Sequence, residues 1–125
     1  MSRASVAAPG IDLIEIERVE RALARRPGLA ARLFRPGELA YARARRRPGR
    51  HLAARFAAKE ATIKALGGRA GPRAIEVVSG AGGPELRLHG AAAERAQELG
   101  ISLGVSLTHS RELAAAVVVA EQRAV

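Results

Sequence analysis

The segment Arg55-Phe-Ala-Ala-Lys59-Glu60-Ala-Thr-Ile-Lys64-Ala-Leu-Gly67 places one carboxylate and both lysines of the chain at helical spacing, just before a run of glycines. On a helical wheel Glu60 lies close to Phe56 and Ile63, so its carboxylate faces the edge of a core and needs a cation beside it. Lys64, one turn on, is an ordinary candidate, in a surface pair worth about 0.3–0.5 kcal/mol. Asp12 is a second carboxylate among apolar neighbours, between Ile11 and Leu13. It either caps the helix that follows it or joins Glu60 at a metal. Two carboxylates cannot build an all-protein calcium cage. They do suit Mg²⁺, which completes its octahedron with water and substrate phosphate oxygens. His109 stands beside Thr108, Ser110 and Arg111, all donors suited to phosphate oxygens, in what reads as a tight turn. His51 and His89 have no partners in sequence that raise them above ordinary surface residues, and no pair of histidines has the spacing of a zinc site. The glycines from Gly67 to Gly71 follow a helix and lack the Gly-Lys-Ser/Thr ending of a Walker loop, which argues against nucleoside-triphosphate binding of that type.

These residues need rigid carriers. Residues 5–14 read as a first strand, interrupted by Pro9 and Gly10, with Asp12 delivered to its C-terminal end. Pro9 marks that strand as an edge or an irregular start. Ile16, Val19 and Leu23 then fall at helical spacing until Pro27-Gly28, with Arg18, Arg21 and Arg25 on one exposed basic stripe. Short helices are expected over 29–34 and 38–46, and a loop at Pro48-Gly49. Residues 51–66 form the strongest helical pattern, rich in Ala and closed by Gly67-Gly68. Beyond it the period changes. Strands are expected over 74–79 and 85–89, joined by a glycine-rich turn, then a helix over 91–99 and two more strands over 102–107 and 113–120. Helices followed by mostly antiparallel strands make an α+β domain, expected to span 1–125 as a single unit.

The formal charge of +9 is carried almost wholly by Arg, and the chain has no Cys and no Trp. Arg favours planar, bidentate pairing, so the expected partner is anionic: a phosphorylated small molecule, an acidic protein or nucleic acid. Arg43, Arg45, Arg46, Arg47 and Arg50 form the densest basic run and read first as a solvated surface segment. A basic nucleic-acid-binding module is the alternative function. Against it stands the shortage of aromatic residues for base stacking, with Phe34, Tyr41 and Phe56 alone available. Without Cys there is no disulfide framework or thiolate metal site. No run approaches the roughly 20 apolar residues of a membrane span, and no leader-like segment opens the chain, so a soluble cytoplasmic protein is expected. Ala dominates the apolar 48%, which leaves a modest core that other subunits can help complete.

Three blocks together resemble the holo-acyl-carrier-protein synthases, the small trimeric 4′-phosphopantetheinyl transferases. They are Gly10-Ile-Asp12-Leu-Ile-Glu-Ile-Glu-Arg18-Val, the segment from Arg55 to Gly67, and Val105-Ser-Leu-Thr-His109-Ser-Arg-Glu-Leu-Ala-Ala-Ala. The resemblance implies transfer of the phosphopantetheine arm of coenzyme A to a serine of an acyl carrier protein, with release of adenosine 3′,5′-bisphosphate. It implies a fold with an antiparallel sheet packed on a long helix, and three subunits with interfacial active sites. Asp12 and Glu60 match the family's Mg²⁺ ligands, and Lys64 matches the lysine that approaches the pyrophosphate. Arg55, Gly67, Thr108 and His109 match positions near the coenzyme. Arg18 and Arg25 match basic positions that meet the carrier protein. The chain departs from the usual pattern at Ala7-Ala8-Pro9, at Gly68-Arg69 and at Leu113. None of these is a proposed metal ligand or Lys64.

Overall fold

The computed structural model describes residues 9–123. Strand β1 (Gly10–Glu15) leads into helix α1 (Ile16–Arg25), then short α2 (Leu29–Leu33), α3 (Pro36–Arg43) and the long α4 (Pro48–Ala65). A 3₁₀ turn (Pro72–Ala74) precedes the hairpin β2 (Ile75–Gly80) and β3 (Gly83–Leu88). Helix α5 (Gly90–Leu99) and strands β4 (Ile101–His109) and β5 (Leu113–Gln122) complete the order. All pairing is antiparallel: β5 lies between β1 and β4 in a three-stranded sheet, and β2 pairs only with β3. The expected α+β class, with an antiparallel sheet against a long helix, is what the chain adopts.

Helix α4 crosses the inner face of the three-stranded sheet. Its Ala57, Ala58 and Ala61 are buried against Ala116 and Val118 of β5, with Ile14, Val105 and Leu107 closing the layer. Alanine stripes let two backbones approach closely, and here they do so to the limit. A Cβ on Gly10 would lie 1.7 Å from the Ala61 carbonyl oxygen, so any side chain there must push β1 off α4. This contact sets Asp12, two residues on and on the same inward face, against the C-terminal half of α4. On the other layers, Ile16 and Val19 of α1 pack on Ala53 and Ala54, while Phe34, Ala42 and Leu52 form a second cluster. Leu66, Ile75, Ala92, Ala96 and Ile101 bind α5 to the end of α4.

Helix ends explain the positions of the boundaries. Gly67 and Gly68 have φ of 81° and 84°. The Gly68 amide donates to the Ile63 carbonyl and the Gly67 amide to the Lys64 carbonyl, a Schellman closure that ends α4 where the glycines predict. At the other end the sequence reading is corrected: Pro48-Gly49 is the first turn of α4 and not a loop. Proline lacks an N–H that the first helical turn leaves unpaired anyway. Arg47 makes the entry with φ 51°, held by two bonds to Glu20 and one to the Arg111 carbonyl. By the same logic α3 starts at Pro36 rather than residue 38. The expected first strand is shorter than predicted: residues 5–8 lie outside the described residues, and β1 begins at Gly10. Asp12 sits in mid-strand and caps nothing, since Glu15 holds the N-cap position of α1. Thr108 and His109 are the last residues of β4, so the turn is confined to 110–112. There Ser110 Oγ accepts from the Leu113 amide at 3.1 Å.

The outer face of β1 and β5 is apolar and uncovered in the single chain. Ile11 is 68% exposed and Leu13 65%, with Leu113, Val117 and Val119 beside them. Among the described residues no helix is long and apolar enough to cross a membrane.

Candidate active site

Lys64 shows how packing overrules a local pattern. Its ammonium group donates to the Ile11 carbonyl at 2.9 Å and to Asp12 Oδ1 at 3.2 Å, across the close β1–α4 contact, rather than pairing with Glu60 one turn away. Glu60 is left half-buried. Its carboxyl is pushed above the ordinary range by loss of hydration first and by the charge of Asp12 second, with Lys64 opposing. A pair of carboxylates whose mutual repulsion is felt in this way favours a cation between them. No cluster of three or more acidic, His or Cys ligands exists among the described residues, and Asp12 and Glu60 are the two carboxylates available at this corner. Two carboxylates open to water and phosphate fit Mg²⁺ and do not fit zinc. From this corner a groove of about 510 Å³ runs over Ile14, Val19, Leu23 and Phe56, with Arg18 on its rim. Arg18, Arg21 and Arg25 continue as an exposed basic stripe with Arg26.

A second cleft, about 440 Å³, opens on the other flank of α4. Its walls are Tyr41, His51 and Arg55, the strand end at Thr108 and His109, and the tip of the β2–β3 hairpin at Gly80, Gly83 and Pro84. Arg45 and Arg55 stack on Tyr41 with Cζ 3.3 and 3.7 Å from its centroid, distances that require one guanidinium on each face of the ring. Arg55 is 4% exposed and its buried Nε has no hydrogen-bond partner. Burial lowers its pKa from the usual arginine value, and the neighbouring Tyr41 opposes the shift. A buried, incompletely paired guanidinium at the wall of a cleft invites an anion, because its lost hydration has not been replaced.

The structure therefore divides the predicted residues. Asp12, Glu60 and Lys64 meet on the β1 side with Arg18 close by, while Arg55, Thr108 and His109 meet on the β4 side. Glu60 and Arg55 are about 140° apart around α4, and β1 and β4 are opposite edges of the sheet. Gly67 lines neither depression; it is exposed at the end of α4, where an added Cβ would touch Arg95 Nη2. Arg25 lies at the far end of α1, about two turns beyond Arg18 on the basic stripe. Sequence reasoning missed Tyr41 and set aside His51, although His51 precedes Arg55 by four residues and so shares its helix face, which was the available signal.

Lys59, beside Glu60 in sequence, is fully buried. It donates to Glu38 Oε1 at 2.7 Å, to the Pro72 carbonyl at 3.0 Å and to the Ile75 carbonyl. Glu38 in turn accepts from the Arg35 amide at 2.9 Å and the Val77 amide at 3.1 Å. Burial lowers the Lys59 pKa below the ordinary lysine value, and Glu38 opposes that. The pair ties α3, α4 and β2 together beneath the second cleft.

A sequence-family model of the 4′-phosphopantetheinyl transferase superfamily matches residues 8–118. The chain belongs to that superfamily. The holo-acyl-carrier-protein synthase of Moorella thermoacetica is 52% identical over 117 residues, covering 90% of this chain and 91% of that one. In structure, the holo-acyl-carrier-protein synthase of Neisseria meningitidis superposes with a TM-score of 0.84 at 32% identity, over 94% of this chain and all of the other. The Bacillus anthracis synthase, solved in complex with coenzyme A (3′,5′-ADP), gives 0.78 at 31% identity, over 96% of this chain and all of that one. Within the transferase superfamily the chain is thus an enzyme of the holo-acyl-carrier-protein synthase family. The second cleft and the carboxylate corner lie inside the span that the phosphopantetheinyl transferase model covers.

Proposed function

We propose that this transferase moves the 4′-phosphopantetheine arm of coenzyme A to a serine hydroxyl of an apo acyl carrier protein and releases adenosine 3′,5′-bisphosphate, with the chain acting as one domain. The single observation that carries the reading is the Asp12–Glu60–Lys64 corner at the head of a groove rimmed by Arg18, in a chain of this family. The carrier serine Oγ attacks the β-phosphorus. An O–P bond forms there while the bond from that phosphorus to the bridging oxygen breaks, and the electron pair departs on the 3′,5′-bisphosphate. The serine proton passes to water. Asp12 and Glu60 would hold Mg²⁺, which supplies positive charge at the pyrophosphate. Lys64 leaves Asp12 to donate to the oxygen that gains charge, and positioning does most of the remaining work. Arg55, Thr108 and His109 hold the 3′-phosphate end, and Gly67 leaves the backbone at the helix end open to the coenzyme. Arg18 and Arg25 offer the acidic carrier a basic landing strip. Such a surface raises the association rate and is screened by salt.

Because the two halves of the site face different flanks of α4, one coenzyme is served best by the carboxylate corner of one subunit and the cleft of another. The uncovered apolar face of β1 and β5 is the surface suited to such a homotrimer. Val117→Asp puts a charge in the middle of that face. It is expected to convert trimers to monomers in sedimentation velocity and to remove transfer activity with them. Trimers that persist would exclude this face from the interface.

The decisive assay incubates the purified chain with coenzyme A, Mg²⁺ and apo carrier protein, and reads the carrier by mass spectrometry. Gain of the phosphopantetheine mass is expected. Wild type that binds coenzyme but modifies none of several carriers defeats the reading. The nucleic-acid alternative gains no support from the basic run: Arg45 is stacked on Tyr41 and Arg47 is bonded to Glu20 and the Arg111 carbonyl.

A further inference from the structure

His51 and His109 meet edge to face in the second cleft, with ring centroids 5.5 Å apart and an interplanar angle of 81°. The His51 ring also packs edge-on to Tyr41 at 5.9 Å. Both imidazoles line the cleft beside Arg55, and no Asp or Glu is among the lining residues. The charged and titratable groups around His51 are Arg50 and Arg55 on its own helix, Tyr41 and Arg45 from α3 and the segment after it, and His109 from β4. The hairpin contributes Ser79, Gly80, Gly83 and Pro84, none of them charged. Glu38, the carboxylate that acts on Arg55 electrostatically, is engaged by Lys59. An empty cleft therefore offers an imidazolium only positive company.

We propose that His51 and His109 act as one proton-accepting pair that recognises a phosphate monoester dianion in this cleft, so that ligand binding is coupled to proton uptake. The proposal rests on the reading of the cleft as the site of the coenzyme's 3′-phosphate. A dianion brings the missing counter-charge within reach of both rings, and protonation turns each ring nitrogen that faces it into a donor. Burial and the surrounding cations already hold His51 below the ordinary histidine value in the free protein. The sign follows. His51, held below the ordinary histidine value in the free protein, is the ring that gains the proton on binding, so affinity falls as pH rises between its free and bound pKa values. A phosphodiester, with a single charge, draws the proton less strongly. The pair thereby favours a terminal phosphate over a chain-internal one.

Calorimetric titration of the wild-type protein with coenzyme A, in buffers of differing ionisation enthalpy between about pH 6 and about pH 8, measures the coupling. Uptake approaching one proton is expected, with affinity falling by up to roughly tenfold per pH unit in that interval. Dephospho-coenzyme A, which lacks the monoester, is expected to show almost none. The phosphate ester itself titrates near pH 6, and His51→Phe, which keeps the ring packing, separates the two sources. It is expected to remove at least half of the uptake and flatten the pH dependence. Uptake unchanged in His51→Phe, or equal with dephospho-coenzyme A, overturns the proposal. Coenzyme binding that depends on Arg55 but takes up no proton defeats the histidine pair alone. Absence of coenzyme binding, or binding indifferent to Arg55→Ala, brings down the reading of the cleft as well.

Discussion

Glu60→Gln is expected to lower kcat/KM for carrier modification by roughly 10²–10³-fold at saturating Mg²⁺, with the melting temperature staying close to that of wild type. The size follows from what the substitution removes. Gln keeps the shape of Glu but not its charge, so the corner loses one of two carboxylates able to hold a cation at the pyrophosphate. Stability is spared because Glu60 carries an unfavourable burden in the fold: its carboxyl is partly dehydrated and stands near the charge of Asp12. Removing that charge relieves the repulsion. Steady-state kinetics against Mg²⁺ concentration, with a thermal melt on the same sample, check both halves. Full turnover with unchanged metal dependence would remove Glu60 from the metal-binding role.

Lys59→Met is expected to destabilise the chain by roughly 3–5 kcal/mol, because a buried charge pair broken on one side leaves Glu38 dehydrated and uncompensated. Two carbonyls, of Pro72 and Ile75, lose their donor at the same stroke. Adding Glu38→Gln removes the stranded charge, so the double variant should lose less than the sum of the two single losses. Urea denaturation of the four proteins measures the coupling. Additive losses would mean that Lys59 and Glu38 do not act as a pair. A loss within the range of an ordinary surface substitution, about 0.5 kcal/mol, would mean that the ammonium group is not buried as described.

Lys59 also shows where reading a sequence stops. Its neighbours on the wheel mark it as facing something, but the something is Glu38, twenty-one residues earlier on another helix. Glu38 itself stands two residues after Pro36 in a polar stretch that looks exposed, yet it is buried. Histidine 51 is a parallel case. It shares a helix face with Arg55, a local fact, but its meeting with His109 depends on β4 arriving beside α4. Thr108 and His109 were expected in a turn because Ser, Arg and Glu follow them. The ladder with Ala115 and Ala114 extends the strand through both residues.

What the sequence determined by itself was most of what neighbours a few positions apart govern in the backbone. Glycines at positive φ end α4, and period and turn residues set the order of elements and the α+β class; the prolines that open α3 and α4 read instead as preceding a helix that starts at residue 38 and as a loop. The family blocks carried Asp12, Glu60 and Lys64 as a set. Tertiary structure alone decided that Lys64 turns to Asp12 instead of Glu60, because Gly10 and Ala61 let β1 and α4 touch backbone to backbone. It alone placed the carboxylate corner and the cleft of Arg55, His51 and His109 on opposite flanks of one helix. Periodicity states which face a side chain occupies; only packing states what stands across from it.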